Sequence, residues 1–122
     1  MFTLLSRLGV IAAFALFAAT AQAHSHLKAS EPAEGATVAA SPATLKLTFS
    51  MPLVAKFSGV TLTDAAGKQV DLGTPATDPA DNKILLVPVP APLAAGEYTV
   101  DWHVVAVDTH RMKGTYKFTI KP

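Results

Sequence analysis

The sequence predicts an all-β domain, a β-sandwich or barrel of about seven short strands with no long helix. Downstream of residue 24, apolar residues recur with a period of two, as in Leu45, Leu47 and Phe49, which alternate with Lys46 and Thr48. Side chains of a strand point alternately to the two faces of a sheet, so this pattern is typical of half-buried strands. Segments rich in proline, glycine and aspartate separate these stretches at short intervals, as expected for a sandwich or barrel.

The predicted strands and breaks follow one another along the chain. Apolar stretches predict strands at 45–49, 60–63, 84–87, 98–107 and 116–120, and turn-forming residues predict breaks at 64–67, 73–81 and 88–96. In the longest stretch Trp102 and Val104 share one face and are expected in the core, whereas His103 lies on the other face and is expected at the surface. No repeat or linker interrupts the pattern, which indicates a single domain.

A tyrosine corner is predicted before the longest strand. The stretch from Leu93 to Tyr98 has the pattern Leu-x-x-Gly-x-Tyr. In such a corner the phenol bonds to backbone a few residues upstream and fixes a crossing between sheets. The alternative is an ordinary buried tyrosine.

The first 23 residues have the pattern of a secretory signal peptide. Arg7 precedes the apolar run 8–17, and the segment ends in the small-residue sequence Ala21-Gln22-Ala23. Such a pattern indicates cleavage after Ala23 and export, and the apolar run is shorter than the roughly 20 residues of a membrane-spanning helix. We therefore expect a signal peptide at 1–23 and one exported domain at 24–122, a buried helix at 1–23 being the alternative.

Composition excludes several classes of protein. The chain has no cysteine, so disulfides, a lipid-modified cysteine and a blue-copper thiolate site are excluded. Without Arg7 the domain has nine basic and nine acidic residues, and it has no basic run. Nucleic-acid binding is therefore disfavoured, and no glycine-rich phosphate loop is present.

His24 would become the first residue after cleavage, and this position changes its chemistry. Its free α-amine, with a reference pKa near 8, and its ring Nδ1 can close a six-membered chelate on one metal ion. Cu(II) suits such a pair because it prefers nitrogen ligands in a tetragonal plane. The alternative is an incidental histidine beside a cleavage site.

Asp108 and His110 form a second pair of candidate ligands, between the last two predicted strands. Residues two apart in an extended chain point to the same side, so the carboxylate and the imidazole are expected to lie together. With the two nitrogens of His24 they would complete a four-ligand plane. Taken alone, an Asp-x-His pair is more often part of a surface turn.

His26 offers a competing arrangement. The amine, the backbone amides of Ser25 and His26, and the His26 ring could wrap Cu(II) or Ni(II) without any fold. That wrap would consume backbone amides that an early strand needs for hydrogen bonding. We therefore favour the folded site, with His26 as a neighbour of the metal.

Further motifs accompany His24, namely the segments 26–35, 47–50 and 96–102 and the pattern Asp108-x-His110-x-x-x-Gly114. Through these features, which span nearly all of the chain after the signal, the sequence resembles the CopC-like periplasmic copper-binding proteins. This resemblance implies an immunoglobulin-like Greek-key fold and one Cu(II) ion bound by His24 through both nitrogens, Asp108 and His110.

Methionine usage narrows the expected copper chemistry. Some members of the family carry a methionine-rich loop that holds Cu(I), but after cleavage this chain keeps only Met51 and Met112. Several convergent thioethers are needed for Cu(I), so we expect a Cu(II)-only protein. Met112 is expected to be a packing or exposed residue, an axial approach to the copper being the alternative.

These features predict a monomeric periplasmic Cu(II) buffer or carrier, without catalytic residues, that serves copper resistance or homeostasis. The resemblance also implies a CopD-like inner-membrane partner. One alternative is an enzyme like the lytic polysaccharide monooxygenases, which also begin with a copper-chelating histidine. Asp108 in a coordination position and the short chain disfavour that alternative. The other alternative is a metal-free immunoglobulin-like interaction module.

Overall fold

The computed structural model describes residues 27–122, which form two packed β-sheets. The nine strands are β1 (Leu27–Glu31), β2 (Thr37–Val38), β3 (Thr44–Phe49), β4 (Gly59–Asp64), β5 (Gln69–Val70), β6 (Ala76–Asp78), β7 (Asp81–Pro88), β8 (Gly96–Val105) and β9 (Arg111–Ile120). A short 3-10 helix, Ala55–Phe57, lies between β3 and β4. The predicted signal peptide at 1–23 and both His24 and His26 lie outside the described residues.

The strand order shows how the chain passes between the two sheets. One sheet has the order β1-β3-β7-β6 and the other β2-β9-β8-β4-β5. All the pairings are antiparallel except that of β2 with β9, which is parallel. The chain crosses repeatedly between the sheets, as in immunoglobulin-like Greek-key sandwiches. The predicted all-β fold is confirmed.

The sequence pattern missed some of the shortest strands. β2 and β5 contain two residues each, too few for an alternation of side chains to be visible. The predicted break at 73–81 is wrong in part, because β6 runs through it as an edge strand paired with β7. Prolines at 75 and 79 flank β6 without interrupting it, and an edge strand tolerates such neighbours.

The core lies between the sheets and is formed by the alternate residues that the period-two pattern predicted. Its largest fully buried side chains are Phe49, Phe118, Leu45, Leu47, Leu62, Leu85, Val87, Val100 and Val104. Within residues 27–122, no helix has the length and apolar character needed to cross a membrane.

The predicted tyrosine corner is present. The Tyr98 hydroxyl donates a hydrogen bond of 2.7 Å to the carbonyl oxygen of Ala94. The bond ties the start of β8 to the segment that crosses from the other sheet, as such corners do.

Candidate metal centre

The candidate site lies in the turn that joins β8 to β9. The Ala106 N–H donates to the His110 carbonyl oxygen at 2.8 Å, and the Thr109 N–H donates to the Ala106 carbonyl oxygen at 2.8 Å. Thr109 has a φ of 74°, in the left-handed region that β-branched residues rarely adopt. The backbone therefore reverses sharply at Asp108 and Thr109.

Asp108 and His110 lie close together in this turn. One carboxylate oxygen of Asp108, Oδ1, accepts a hydrogen bond from the His110 N–H at 3.1 Å. The other oxygen, Oδ2, is 3.7 Å from the imidazole Nδ1. The two side chains thus present an oxygen and a nitrogen to the same region of space.

The sequence-based explanation of why these two side chains lie close together is wrong. The prediction assumed an extended chain, but the intervening Thr109 is left-handed and His110 precedes the first residue of β9. The pair meets because the Asp108 carboxylate bonds to backbone two residues on, as aspartate side chains do in turns.

Both side chains are open to solvent, with 62% of the His110 side chain and 60% of the Asp108 side chain exposed. An incoming ion could reach them without disturbing the core. Among the described residues, no group of three or more His, Asp or Glu side chains could hold a metal ion. His24, the remaining predicted ligand, and His26 both lie before Leu27, outside the described residues.

Backbone hydrogen bonds fix the turn to the end of the sandwich. The Val107 N–H donates to the Pro52 carbonyl oxygen at 3.0 Å, and the Val54 N–H donates to that of Val105 at 2.8 Å. Ser58 adds a side-chain link, since its hydroxyl accepts from the Val105 N–H at 3.1 Å and donates to the Val54 carbonyl oxygen at 2.9 Å. Sequence reasoning did not single out Ser58, a buried polar residue whose role depends on strands distant in the chain.

The chain enters β1 at the same end of the molecule. Leu27 pairs with Phe49, the last residue of β3, and β1 runs antiparallel to β3. Leu53 follows Phe49 by four residues and forms a β-bridge with Ala106, where the β8–β9 turn begins. Leu27 therefore lies at the end of the sandwich that carries Asp108 and His110.

Gly114 has a packing role that the motif alone did not reveal. A Cβ atom at this position would lie 2.4 Å from Cζ2 and 2.7 Å from Cε2 of Trp102. The indole is buried and meets the Phe49 ring edge-on at a centroid distance of 5.0 Å. The glycine thus makes room for the tryptophan on the strand that leads away from the site.

His103 and Met112 lie where the sequence predicted them. His103 is exposed, and its ring lies over Gly59 of the neighbouring strand. Met112 is buried in the core, which confirms the prediction of a packing or exposed residue, and Met51 packs partly buried against the core.

Comparison with known proteins supports the resemblance seen in the sequence. Residues 27–121 match the CopC domain. Copper resistance protein C of Pseudomonas syringae pv. tomato is 40% identical over 126 residues, covering 97% of this chain and 99% of that protein. The crystal structure of PcoC, a methionine-rich copper resistance protein from Escherichia coli, is 40% identical with a TM-score of 0.71, covering 80% of this chain and 99% of that one.

A third relative is similar in structure at lower identity. The crystal structure of CopC from Methylosinus trichosporium OB3b has a TM-score of 0.74 at 32% identity, covering 81% of this chain and 95% of that one. The domain match and the 40% identity over nearly the whole chain agree. The chain belongs to the CopC family.

Proposed function

We propose that this copper-handling protein is a periplasmic Cu(II) carrier or buffer that holds one ion. The ligands would be the α-amine and Nδ1 of His24, together with Asp108 and His110. The observation that supports this most is the exposed Asp108–His110 pair, 3.7 Å apart, at the end of the sandwich where the chain enters β1.

The reach of the chain before β1 matches the usual spacing of two packed sheets, which supports the participation of His24. β1 belongs to one sheet and the β8–β9 turn to the other, and packed sheets lie about 10 Å apart. Leu27 is the third residue after His24. Three extended residues span at most about 10 Å. A histidine much closer to Leu27 would have less reach across the gap.

The donor set suits Cu(II) transport better than catalysis. Three nitrogens and one carboxylate oxygen fill the tetragonal plane that Cu(II) prefers. A monooxygenase needs an equatorial position for oxygen, and a filled plane leaves none. The ion is then cargo, and the protein acts by binding and releasing it.

The methionines support Cu(II) as the oxidation state. Met112 is buried in the core and Met51 is partly buried against it, so the two thioethers do not form an open cluster for a soft ion. One relative is described as methionine-rich, whereas this chain has three methionines, including Met1.

The cellular setting belongs to the same proposal. Cleavage of residues 1–23 on export would free the His24 amine in the periplasm, where a monomeric carrier could meet a CopD-like inner-membrane protein. The proposed binding depends on this cleavage, because one additional residue before His24 removes the amine from the chelate.

Cu(II) affinity and EPR spectra of the chain beginning at His24 test the proposal. We expect His110→Ala to change the spectrum and to lower the affinity, measured by chelator competition, by at least about 100-fold, because loss of a direct ligand should exceed the 10- to 100-fold cost of losing an outer-shell partner. His103→Ala is the matched control, since that histidine is exposed on the outer face of the sheet, and it should leave both readouts unchanged.

The wrap formed by His24, Ser25 and His26 makes the opposite prediction. Because it needs no fold, its spectrum would survive both His110→Ala and denaturant. Unchanged spectra under these two conditions would overturn the folded site. An added alanine before His24 should weaken binding sharply, and equal affinity with and without it would also contradict the proposal.

A further inference from the structure

Exposed apolar side chains are concentrated at one end of the molecule. Of the large hydrophobic residues in 27–122, Phe57 and Val107 are the exposed ones, at 59% and 57%. Val107 is next to Asp108 in the β8–β9 turn. Phe57 is the last residue of the 3-10 helix. The residue before this helix, Val54, is hydrogen-bonded to the end of β8. Single exposed apolar residues are common on protein surfaces, but these two flank the same end of one strand.

An open hollow of about 710 Å³ lies beside this turn. Its lining includes the apolar side chains of Phe57, Val105 and Met112, together with the basic residues Arg111 and Lys113. Thr109, between the two candidate ligands, also contributes to the lining. The hollow is therefore continuous with the turn that carries Asp108 and His110.

The charges around the hollow are mostly positive. Within residues 27–122, no carboxylate lies at ion-pair distance from Arg111, Lys113 or Lys56, and the Lys56 ammonium is 5.8 Å from the centre of the Phe57 ring. Elsewhere, Lys46 is 4.0 Å from Glu31 and Lys117 is 3.7 Å from Glu97. Among residues 27–122, these three cations thus have no carboxylate partner, and all three lie near Phe57.

We infer that this surface, named here the cationic face (Lys56, Phe57, Val107, Arg111 and Lys113), docks a protein partner that presents carboxylates around an apolar contact. Opposite charges at the rim would steer and orient the partner, and Phe57 would supply an aromatic anchor of the kind enriched at interface centres. The biological use of the face rests on the proposed function, because docking here would bring an acceptor next to the copper ligands.

A protein fits this face better than an anionic bilayer does. Asp108 stands between Val107 and Arg111 in the chain and is exposed, so a uniformly negative surface would also meet a like charge. Two apolar side chains and three cations also give little membrane affinity, since stable anchoring takes stronger combined signals. A protein can place its carboxylates opposite the cations alone.

An NMR titration of the copper-free chain beginning at His24 tests the inference. The probe is a synthetic peptide with a central tryptophan and leucine flanked by glutamates, and the comparison peptide has lysines in place of the glutamates. We expect saturable shift changes confined to the cationic face with the acidic peptide. Lys113→Glu and Phe57→Ser should each raise its dissociation constant about tenfold, equivalent to about 1.4 kcal/mol.

Lys68→Glu is the matched control. Lys68 is exposed in the β4–β5 turn. This turn follows Asp64, which pairs with Tyr98 near the start of β8, at the other end of that strand from the β8–β9 turn. The same change of charge there should leave binding within twofold of the wild type. An equal effect of Lys68→Glu and Lys113→Glu, equal binding of both peptides, or shifts outside the face would overturn the inference.

A bilayer is distinguished by sedimentation with vesicles of phosphatidylglycerol and of phosphatidylcholine. One outcome would identify the partner as a membrane instead of a protein. In that outcome the chain binds phosphatidylglycerol vesicles, Lys113→Glu abolishes this binding, and the acidic peptide does not bind saturably. Because these readouts need no copper, their failure is separate from a failure of the copper site.

Discussion

Replacing Gly114 by alanine should destabilise the fold through one aromatic side chain. The new Cβ would lie 2.4 Å from Cζ2 and 2.7 Å from Cε2 of Trp102, where real Cβ atoms are not found. The indole is 3% exposed and packs against Phe49, so it cannot move away without disturbing the core.

The expected cost follows from two opposing terms. Overpacking a well-packed core costs about 1–3 kcal/mol, and this contact lies at the upper end because rigid ring atoms are involved. Alanine in place of glycine within a strand returns about 0.5–1 kcal/mol. We expect the free energy of unfolding to fall by about 2 kcal/mol, a decrease in Tm of about 8–16 °C for a domain of this size.

Gly59→Ala provides the matched control. Its Cβ would lie 2.7 Å from Cε1 of His103, but that ring is exposed and can rotate into solvent, so the cost should be below about 1 kcal/mol. Denaturant unfolding followed by circular dichroism measures both variants. In a Trp102→Phe background, whose smaller ring lacks the crowded atoms, Gly114→Ala should cost less than about 0.5 kcal/mol, a coupling expected of neighbouring residues. Equal effects of Gly114→Ala in both backgrounds, or equal costs at Gly59 and Gly114, would refute the reasoning.

Three further changes test other parts of the fold. Tyr98→Phe removes the 2.7 Å hydrogen bond to Ala94 and should lower the free energy of unfolding by about 0.5–1.5 kcal/mol, measured by denaturant titration; no change would show that the corner adds no stability. Burial raises the pKa of Tyr116 from 10.0 to about 12, with an added rise from negative Glu34 and a partial offset from the Ser30 hydroxyl. Stability should therefore be complete below pH 10 and fall by at most about 3 kcal/mol as the pH rises from 10 to 12, and Tyr116→Phe should flatten this fall in unfolding curves recorded at each pH. Thr109→Gly relieves a φ of 74° and should raise the free energy of unfolding by up to about 1 kcal/mol; a loss above 1 kcal/mol would contradict the strain.

Sequence reasoning predicted those features that depend on local pattern. Alternating residues such as Leu45 and Leu47 indicated the long strands, and the spacing around Tyr98 indicated the corner, because each reflects a local geometric rule. β6 and the two-residue strands were missed since a short edge strand is specified by its neighbour, here β7, more than by its own residues.

The candidate site was predictable only in part. The sequence identified Asp108 and His110 but assumed an extended backbone between them, because a left-handed threonine has no signature in composition. The exposure of Phe57 could not be predicted either, since it depends on which elements cover a residue in the folded chain. Metal binding by His24, Asp108 and His110 stays a prediction.

In the proposed site, the open position of Asp108 and His110 would allow metal affinity and stability to change independently. Neither residue belongs to the core, and the turn is held mainly by backbone hydrogen bonds that other side chains would preserve. If copper binds here as proposed, substitutions at these two positions would strengthen, weaken or redirect its binding at little cost to folding. A lineage could adapt such a protein to a different copper supply, or lose the metal and keep the sandwich, through a few changes in one turn.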